Sequence, residues 1–473
     1  MGACLGVCQR PSPTATLDRL PHNAHRLPTT REHRGHHLAD WGTNASPQVN
    51  LIIGDSIINN QGMHYKHRML AVRLVGMLQR FPVVVVSGAR QVGKSTLVRH
   101  SLPKWDIVVF DPAIDIGNAR EDPDLFLDNH PAPLVLDEIQ FAPELVPAIK
   151  RRVDRTRAPG QYVLTGSQQW SVLKSASESL AGRAVFLDLE GFSLAEIAEA
   201  TNSDHWLKRY LDDPRSLIAD PPRRLPLSRT LYQQLWSGFL PEADALEAEW
   251  IPDLYRAYLR TYLERDVRLL GEVDDWQQFG RFVRLAAALS AQEINHSQLG
   301  RDIGVTRQTA QRWLTMLRAT FQWVDVPAYH GNTLKRISGK PKGYLADPGL
   351  ACHLQMISTP QTLAGHPLVG ALFETAVVAE IRKLGSALGT PPSLYHWRSH
   401  GGAEVDLILE RDGRFYPIEI KLTSHPKVRD SRGITSFRET YPKLDVAPGL
   451  IICPAELVGR LNDTDFALPW DSQ

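Results

Sequence analysis

The sequence predicts an α/β protein: a parallel β-sheet with crossover helices, then a helical and basic segment, then a second α/β unit. Three observations carry that expectation. Apolar, β-branched runs such as Phe81-Pro82-Val83-Val84-Val85-Val86 and Leu134-Val135-Leu136 read as strands buried on both faces, as parallel sheets require. Residues 276–342 hold ten Lys or Arg against three acids, in a chain whose formal charge is only +1. Near the C-terminus two alternating strands flank Asp412-Gly413, a favoured two-residue hairpin turn.

The 473 residues suggest about three domains. We place the boundaries at a disordered tail over 1–62, a sheet domain over 63–200, a helical lid or linker over 201–275, a helix-turn-helix domain over 276–350 and a C-terminal α/β domain over 351–473. The 43% hydrophobic and 22% charged composition is that of a globular protein. No apolar run approaches the ~18 residues of a membrane helix, so no membrane role is expected. Four cysteines, two within the first eight residues, make no disulfide framework and point to a reducing cytoplasm. The near-neutral charge excludes a wholly basic coat protein. The first fifty residues carry Pro11, Pro13, Pro21, Pro28 and Pro47, with His22, His25, His33, His36 and His37 among arginines and no sustained apolar period, which reads as a disordered tail. A start at Met63 would leave the organised chain intact.

Order begins with Leu70, Leu74, Val75 and Leu78 at helical spacing. The valine strand then runs directly into Gly88-Ala89-Arg90-Gln91-Val92-Gly93-Lys94-Ser95-Thr96, a G-x-x-x-x-G-K-[ST] loop in its strand–loop–helix context. The glycines let backbone N–H groups curl around phosphates, and the following helix turns its positive end toward them. Lys94 would reach the β- and γ-phosphates of ATP, and the Ser95 hydroxyl would ligate Mg²⁺. Ala132-Pro133-Leu134-Val135-Leu136 ends in Asp137 and Glu138. Asp137 fits the holder of the hydrated Mg²⁺, and Glu138 the base that orients attacking water. Gln161-Tyr162-Val163-Leu164 ends at Thr165-Gly166-Ser167, where Ser167 would sense the γ-phosphate or serve as a turn residue. Arg183 would serve the γ-phosphate in cis or across a subunit interface, or be a surface arginine. Ile107–Phe110 and Val185–Leu187 complete five strands.

Pro214, Pro221, Pro222 and Pro226 mark an irregular connection, after which Leu254, Tyr255, Tyr258, Leu259 and Tyr262 form one apolar helix face. In the basic segment, Ser297 is expected to cap a short helix that Gly304 breaks. Thr306 is expected to cap a second helix whose Trp313, Leu314 and Leu317 face inward. That is a helix-turn-helix pattern. Arg307, Gln308, Gln311 and Arg312 would project outward, chemically suited to phosphates and base edges of duplex DNA; the other reading of the module is a protein contact.

With Asp412-Gly413 as the turn, Asp406 faces Glu419, Glu404 faces Lys421, and Val405, Leu407 and Leu409 face Ile420, Ile418 and Tyr416. One face is apolar, the other gathers Asp, Glu and Lys. A solvated face accounts for most of this. It does not account for Asp406 opposite Glu419, because like charges there are destabilising. A divalent cation between them would remove the repulsion and activate water. Otherwise one carboxyl must hold its proton to high pH. Glu374, on the preceding helix with Val377, Val378 and Ile381 at core spacing, would be a further contributor.

The order of these features resembles the prokaryotic AAA-type ATP-binding proteins whose C-terminal domain, of unknown function, is similar to the PD-(D/E)xK nucleases. The resemblance spans about residues 64–455. It rests on Gly88–Thr96, Leu136-Asp137-Glu138-Ile139-Gln140, Leu164-Thr165-Gly166-Ser167, Leu180-Ala181-Gly182-Arg183, Tyr262-Leu263-Glu264-Arg265-Asp266, Phe373-Glu374, Trp397-Arg398, Glu404-Val405-Asp406 and Glu419-Ile420-Lys421. It implies a P-loop ATPase sheet of order 5-1-4-3-2, a winged-helix domain and a restriction-endonuclease-like α/β domain. It also makes Asp406, Glu419 and Lys421 a nuclease-like triad with Glu374 adjacent. The Pro- and His-rich stretch before Met63 departs from that family. Three functions are then open: an ATP-regulated nuclease, a nucleotide-switched binding module with a silent triad, or a homo-oligomeric ATPase that remodels protein.

Overall fold

The fold is seen in a computed structural model that describes residues 64–111, 117–169, 180–267, 273, 275–331 and 339–473. The tail expected over 1–62 lies outside the described residues. Five strands, β1 (Val83–Ser87), β2 (Asp106–Val109), β3 (Leu134–Asp137), β4 (Tyr162–Gly166) and β5 (Ala184–Asp188), pair in the order β2-β3-β4-β1-β5, every pair parallel. Read from the other edge, this is the expected 5-1-4-3-2. All five residues of β1 are buried. Val84 and Val86 join one apolar layer with Leu70, Leu74 and Leu78 of the helix Leu70–Leu78. Val83 and Val85 join the opposite layer with Leu145, Ile149 and Val153 of the helix Leu145–Thr156. The period of two thus splits one valine run between two cores, which is why the strand is apolar on both faces. Parallel pairing also brings every C-terminal strand end to one edge, where the loop after β1 lies.

The connection after β5 is helical and packed into the body. In the helix Ile251–Thr261 and the π-helical turn Tyr262–Val267, Leu254, Tyr255, Tyr258 and Tyr262 are buried as their spacing predicts. The Tyr255 hydroxyl donates to Asp347 Oδ1 at 2.8 Å. The helix Trp206–Asp212 instead packs on the C-terminal sheet, its Tyr210 hydroxyl donating to the Pro448 carbonyl at 2.8 Å.

Next come the helices Trp276–Ala288, His296–Ile303 and Arg307–Ala319, interleaved with β6 (Gln292–Glu293), β7 (Trp323–Val326) and β8 (Lys342–Leu345) in an antiparallel sheet of order β6-β8-β7. Trp313 meets Phe279 and Phe282 edge-on, both at 5.4 Å, and joins the first of these helices to the third. Gly304 takes φ 77° at the expected break, and the Thr306 side chain accepts from Thr309 N–H. The first cap differs from expectation. Asn295, not Ser297, accepts from the N–H groups of Ser297 and Gln298, so the helix begins one residue after Asn295.

The C-terminal sheet has the order β14-β15-β13-β11-β10-β9, with β12 on β11. Its strands are β9 (Ser393–Arg398), β10 (Glu404–Arg411), β11 (Arg414–Ile420), β12 (Asp445–Val446), β13 (Gly449–Cys453), β14 (Gly459–Arg460) and β15 (Asp465–Pro469). The hairpin register is the expected one, Leu407 opposite Ile418 through Arg411 opposite Arg414, with φ 56° at Asp412 and 80° at Gly413. Two expectations fail here. The polar face is not solvated: Ile408 and Phe415 are buried on it, and the helix Arg432–Thr440 covers it with Ile434 and Phe437. Val405 packs with that cluster rather than with Leu407, because β10 carries one extra residue against β9 between Val405 and Ile408. Such a bulge bends the strand and re-aims the side chains beside it, Asp406 among them.

The opposite face packs against the helix Val369–Ala387. Beyond that contact the same helix presses on the segment after β5. Lys383 Nζ donates to the Phe192 carbonyl at 2.8 Å, Arg382 pairs with Glu190 at 2.8 Å, and Glu380 accepts from Leu194 N–H at 3.1 Å.

Candidate nucleotide and carboxylate sites

The loop after β1 is shaped by its glycines. A Cβ on Gly88 would lie 2.1 Å from the Leu189 carbonyl oxygen, so only glycine admits this approach to the chain after β5. Gly93 (φ 92°) caps the helix Lys94–Ser101 with no side-chain bond, so its first N–H groups are left for an anion. Lys94, 5% exposed, turns its ammonium onto the Gly88 and Ala89 carbonyls at 3.1 and 2.9 Å. Ser95 is half-buried and Thr96 exposed, while Ala89 and Val92 pack inward. Arg90 Nε lies 3.3 Å from Asp266 Oδ2, both side chains buried, tying the loop to the π-helical turn.

Register brings the expected acids to the same edge. Val86 lies opposite Thr165 on β4, and Leu164 opposite Leu136 on β3, so Asp137 is level with Thr165. The Thr165 hydroxyl donates to Asp137 Oδ1 and accepts from Glu138 N–H at 3.0 Å. Glu138 takes a left-handed conformation, φ 59° and ψ 46°, and Gln140 Nε2 donates both to its Oε2 and, at 3.2 Å, to the Ser167 hydroxyl. Asp137, Glu138 and Ser167 therefore stand in one hydrogen-bonded row. Thr165 and Gln140, to which the sequence reading gave no role, connect them. A polar residue at the end of an otherwise apolar strand was the available signal. Arg183 stands apart. It precedes β5 at the strand end opposite the loop, where Ala184 is level with Val83, and it forms a two-pronged pair with Asp154 at 2.6 and 2.9 Å. A cis role at the γ-phosphate is thereby corrected, since the length of the sheet separates Arg183 from the loop.

On the helix Arg307–Ala319, Arg307, Gln308, Gln311 and Arg312 are all exposed, and Trp313, Leu314 and Leu317 are buried. The outward row is as the spacing predicts.

The hairpin carboxylates are buried, Asp406 at 4% and Glu419 at 3% exposure. Asp406 Oδ2 accepts from Ile420 N–H at 2.9 Å and from Lys421 Nζ at 3.0 Å, and Lys421 Nζ also donates to Glu419 Oε2 at 2.7 Å. The expected Glu404–Lys421 pairing gives way to this bridge. Gly433, at the start of the covering helix, lies so close that a Cβ there would meet Glu419 Oε1 at 2.3 Å. A second lysine enters from another module. Lys342 Nζ on β8 donates to Glu374 Oε1 at 2.6 Å and reaches Asp406 Oδ1 at 3.4 Å, and the Tyr344 hydroxyl donates to Glu374 Oε1 at 2.8 Å. Neither Lys342 nor Tyr344 carried a local signal, since the partners lie far along the chain.

These contacts set the charges. Burial opposes ionisation of Asp406, but Lys421, Lys342 and the hydrogen bonds it receives outweigh that and hold it at about 2. Burial, then the Asp406 charge, drives Glu419 well above the usual carboxylate range. The same two causes lift Glu374 to about 7 against the pull of Lys342. Of the opposed carboxyls, Asp406 is the one held toward its charged form and Glu419 the one whose proton is held more tightly. Among the described residues no three His, Cys, Asp or Glu side chains converge into a ready-made metal cage. The oxygens of Glu374, Asp406 and Glu419 are nonetheless hard donors suited to Mg²⁺ or Mn²⁺, and an ammonium already sits between two of them as a stand-in cation.

Comparison with known proteins divides the chain into three stretches. Residues 80–198 match an AAA domain, 228–361 a domain of unknown function (DUF8612), and 369–472 another domain of unknown function (DUF4143). Over 410 residues the chain is 31% identical to the uncharacterized proteins Rv2008c of Mycobacterium tuberculosis and Mb2031c of Mycobacterium bovis, covering 86% of this chain and 85% of each relative. Among solved structures, the Walker-type ATPase PABY2304 of Pyrococcus abyssi aligns at TM-score 0.39 and 15% identity, over 60% of this chain and 94% of that one. The RuvB Holliday junction branch migration motor of Thermotoga maritima aligns at TM-score 0.27 and 14% identity, over 58% and 96%. No helix among the described residues is long and apolar enough to cross a membrane.

Proposed function

This chain belongs to the family of AAA-domain proteins that includes the uncharacterized Rv2008c, and from that membership we propose that it hydrolyses ATP and uses its nucleotide state to regulate a DNA-directed, nuclease-like C-terminal half. Its first domain is a P-loop AAA-type ATPase domain, and ATP is its ligand. In our reading the backbone N–H groups of Gly88–Thr96 hold the phosphates, and Lys94 exchanges its two loop carbonyls for phosphate oxygens. Ser95 and Asp137 offer the hydroxyl and carboxylate oxygens that fit Mg²⁺. When bound, that ion neutralises phosphate charge. Glu138 accepts the proton of the attacking water, held by Gln140 until substrate arrives, and Ser167 at the other end of Gln140 senses the γ-phosphate. Arg183 serves only across a subunit interface in a homo-oligomer. The observation that carries the ATPase reading is the Asp137–Thr165–Glu138–Gln140–Ser167 row at the sheet edge where the P-loop lies.

The order helix, strand, helix, helix, strand, strand over 276–345 supports a winged helix that presents Arg307, Gln308, Gln311 and Arg312 to duplex DNA. The order helix, three strands, helix, two strands over 369–453, with a buried Asp and Glu on the hairpin and a half-buried Lys just after it, supports a PD-(D/E)xK-like domain. There Asp406 and Glu419, with Glu374 adjacent, would hold a divalent cation, and Lys421 would face a phosphate oxygen. One observation favours a second reading, a nucleotide-switched DNA- or protein-binding module with a silent triad: Lys342 bridges Glu374 and Asp406. The purified chain, assayed for ATP turnover and for Mn²⁺-dependent plasmid nicking with and without ATP, separates them. ATP-dependent nicking that Asp406→Asn abolishes supports the nuclease. ATP turnover without nicking leaves the binding module, and absence of ATP turnover overturns both.

A further inference from the structure

Lys342 opens β8, a strand of the three-stranded sheet, yet its ammonium is spent in the C-terminal domain on Glu374 and Asp406. Its side chain is only 12% exposed. Two residues on, Tyr344 donates from the same strand face to the same Glu374 oxygen. Alternate residues of β8 thus stitch the basic module to the carboxylate site. We propose that Lys342 is an internal counter-ion that holds the site closed to a divalent cation, and that it links cation binding to the position of the three-stranded sheet. The proposal rests on the metal reading of Asp406, Glu419 and Glu374.

An ammonium and a divalent cation cannot occupy the same pair of carboxylates, because each repels the other at contact distance. Lys421 bridges the other oxygen of Asp406 to Glu419 and must also turn aside for a cation, but it is the more exposed of the two lysines and belongs to the hairpin itself, whereas Lys342 comes from the other module. Room for exchange is present. A polar cavity of about 440 Å³, lined by Gln292, Glu293, Lys342, Glu374, Arg398 and Asp406 among others, opens beside the bridge. It accepts a displaced lysine side chain or a partly hydrated ion. Lys342 opens the central strand, opposite Val326 of β7 and Glu293 of β6, so release of its ammonium frees that end of the sheet from the carboxylate site. By reciprocity, whatever holds that sheet away from Glu374 favours the cation to the same extent that the cation favours the displaced sheet.

Mn²⁺ titration calorimetry on the full chain tests this, with amide hydrogen exchange over residues 339–345 as a second readout. Lys342→Met should bind Mn²⁺ about tenfold tighter or more than wild type, with Lys342→Gln repeating the gain, while Lys342→Arg keeps the weak wild-type affinity. Saturating Mn²⁺ should speed exchange in residues 339–345 of wild type and leave Lys342→Met unchanged. Equal or weaker binding by both neutral variants, with wild-type binding abolished by Asp406→Asn, overturns the counter-ion and keeps the metal site. Failure of wild type and every Lys342 variant to bind Mn²⁺ overturns the metal reading and this proposal with it.

Discussion

Glu138 keeps φ 59° and ψ 46°, a left-handed backbone conformation that costs a non-glycine residue on the order of 1–3 kcal/mol. The twist sends successive acids to different partners, Asp137 to Thr165 and Glu138 to Gln140. Lys94 has a different kind of role. Its ammonium is buried against two carbonyls of its own loop, and phosphate oxygens would replace them in the ground state. The two residues should therefore fail differently. Lys94→Ala should lose ATP binding, read by a fluorescent nucleotide titration. Glu138→Gln should bind ATP as wild type does and turn it over about 100-fold more slowly or worse, the usual scale for a lost general base. Wild-type turnover by Glu138→Gln would sink the base assignment.

At the scale of elements, the helix Arg307–Ala319 divides cleanly. Trp313, Leu314 and Leu317 are locked in a core, and Arg307 and Arg312 stand free on the outer row. If that row meets duplex phosphates, each lost contact should flatten the log–log salt dependence of binding by ~0.9. Arg307→Ala with Arg312→Ala should then lower the slope by nearly 2, measured by anisotropy across a salt series; an unchanged slope would return the helix to a protein-contact role. This element was legible because its signals are local: a period of 3.6, a glycine at the break and Thr306 at the cap. The hairpin was legible for the same reason, since a two-residue turn fixes every opposed pair beyond it. Sequence reading failed where long-range packing decides. The bulge that moves Val405 to the other core arises from pairing with β9. Lys342 and Tyr344 reach Glu374 from a different module. None of those facts has a spacing that a sequence could display.

At the scale of the whole molecule, the helix Val369–Ala387 joins the two candidate sites. Glu374 near its start meets Lys342 and Tyr344, and Glu380, Arg382 and Lys383 near its end meet the chain after β5, which itself crowds Gly88 of the P-loop. The helix is thus tied by polar contacts to the surroundings of both sites, and the charge state of those contacts is open to measurement. Burial lifts the Glu380 carboxyl from its ordinary 4.5 to about 7, against the pull of Lys383 and the Leu194 N–H; burial likewise lowers Lys383, whose ammonium lies 3.9 Å over the Phe239 ring. Below pH 4.5 the folded and unfolded chains both carry the Glu380 proton, and its stabilisation is complete. Between 4.5 and 7 only the folded chain keeps it, so stability falls as pH rises through that window. The loss levels off above 7 at about 3 kcal/mol, since each unit of difference is worth about 1.4 kcal/mol. Glu380→Gln keeps an acceptor for Leu194 N–H and removes the titration. Its denaturant stability relative to wild type should therefore climb by about 3 kcal/mol between pH 4.5 and 8. A flat difference across that range would show Glu380 ionised throughout, paired with a charged Lys383, and the link between the two sites would then be held by an ion pair rather than by a protonated carboxyl.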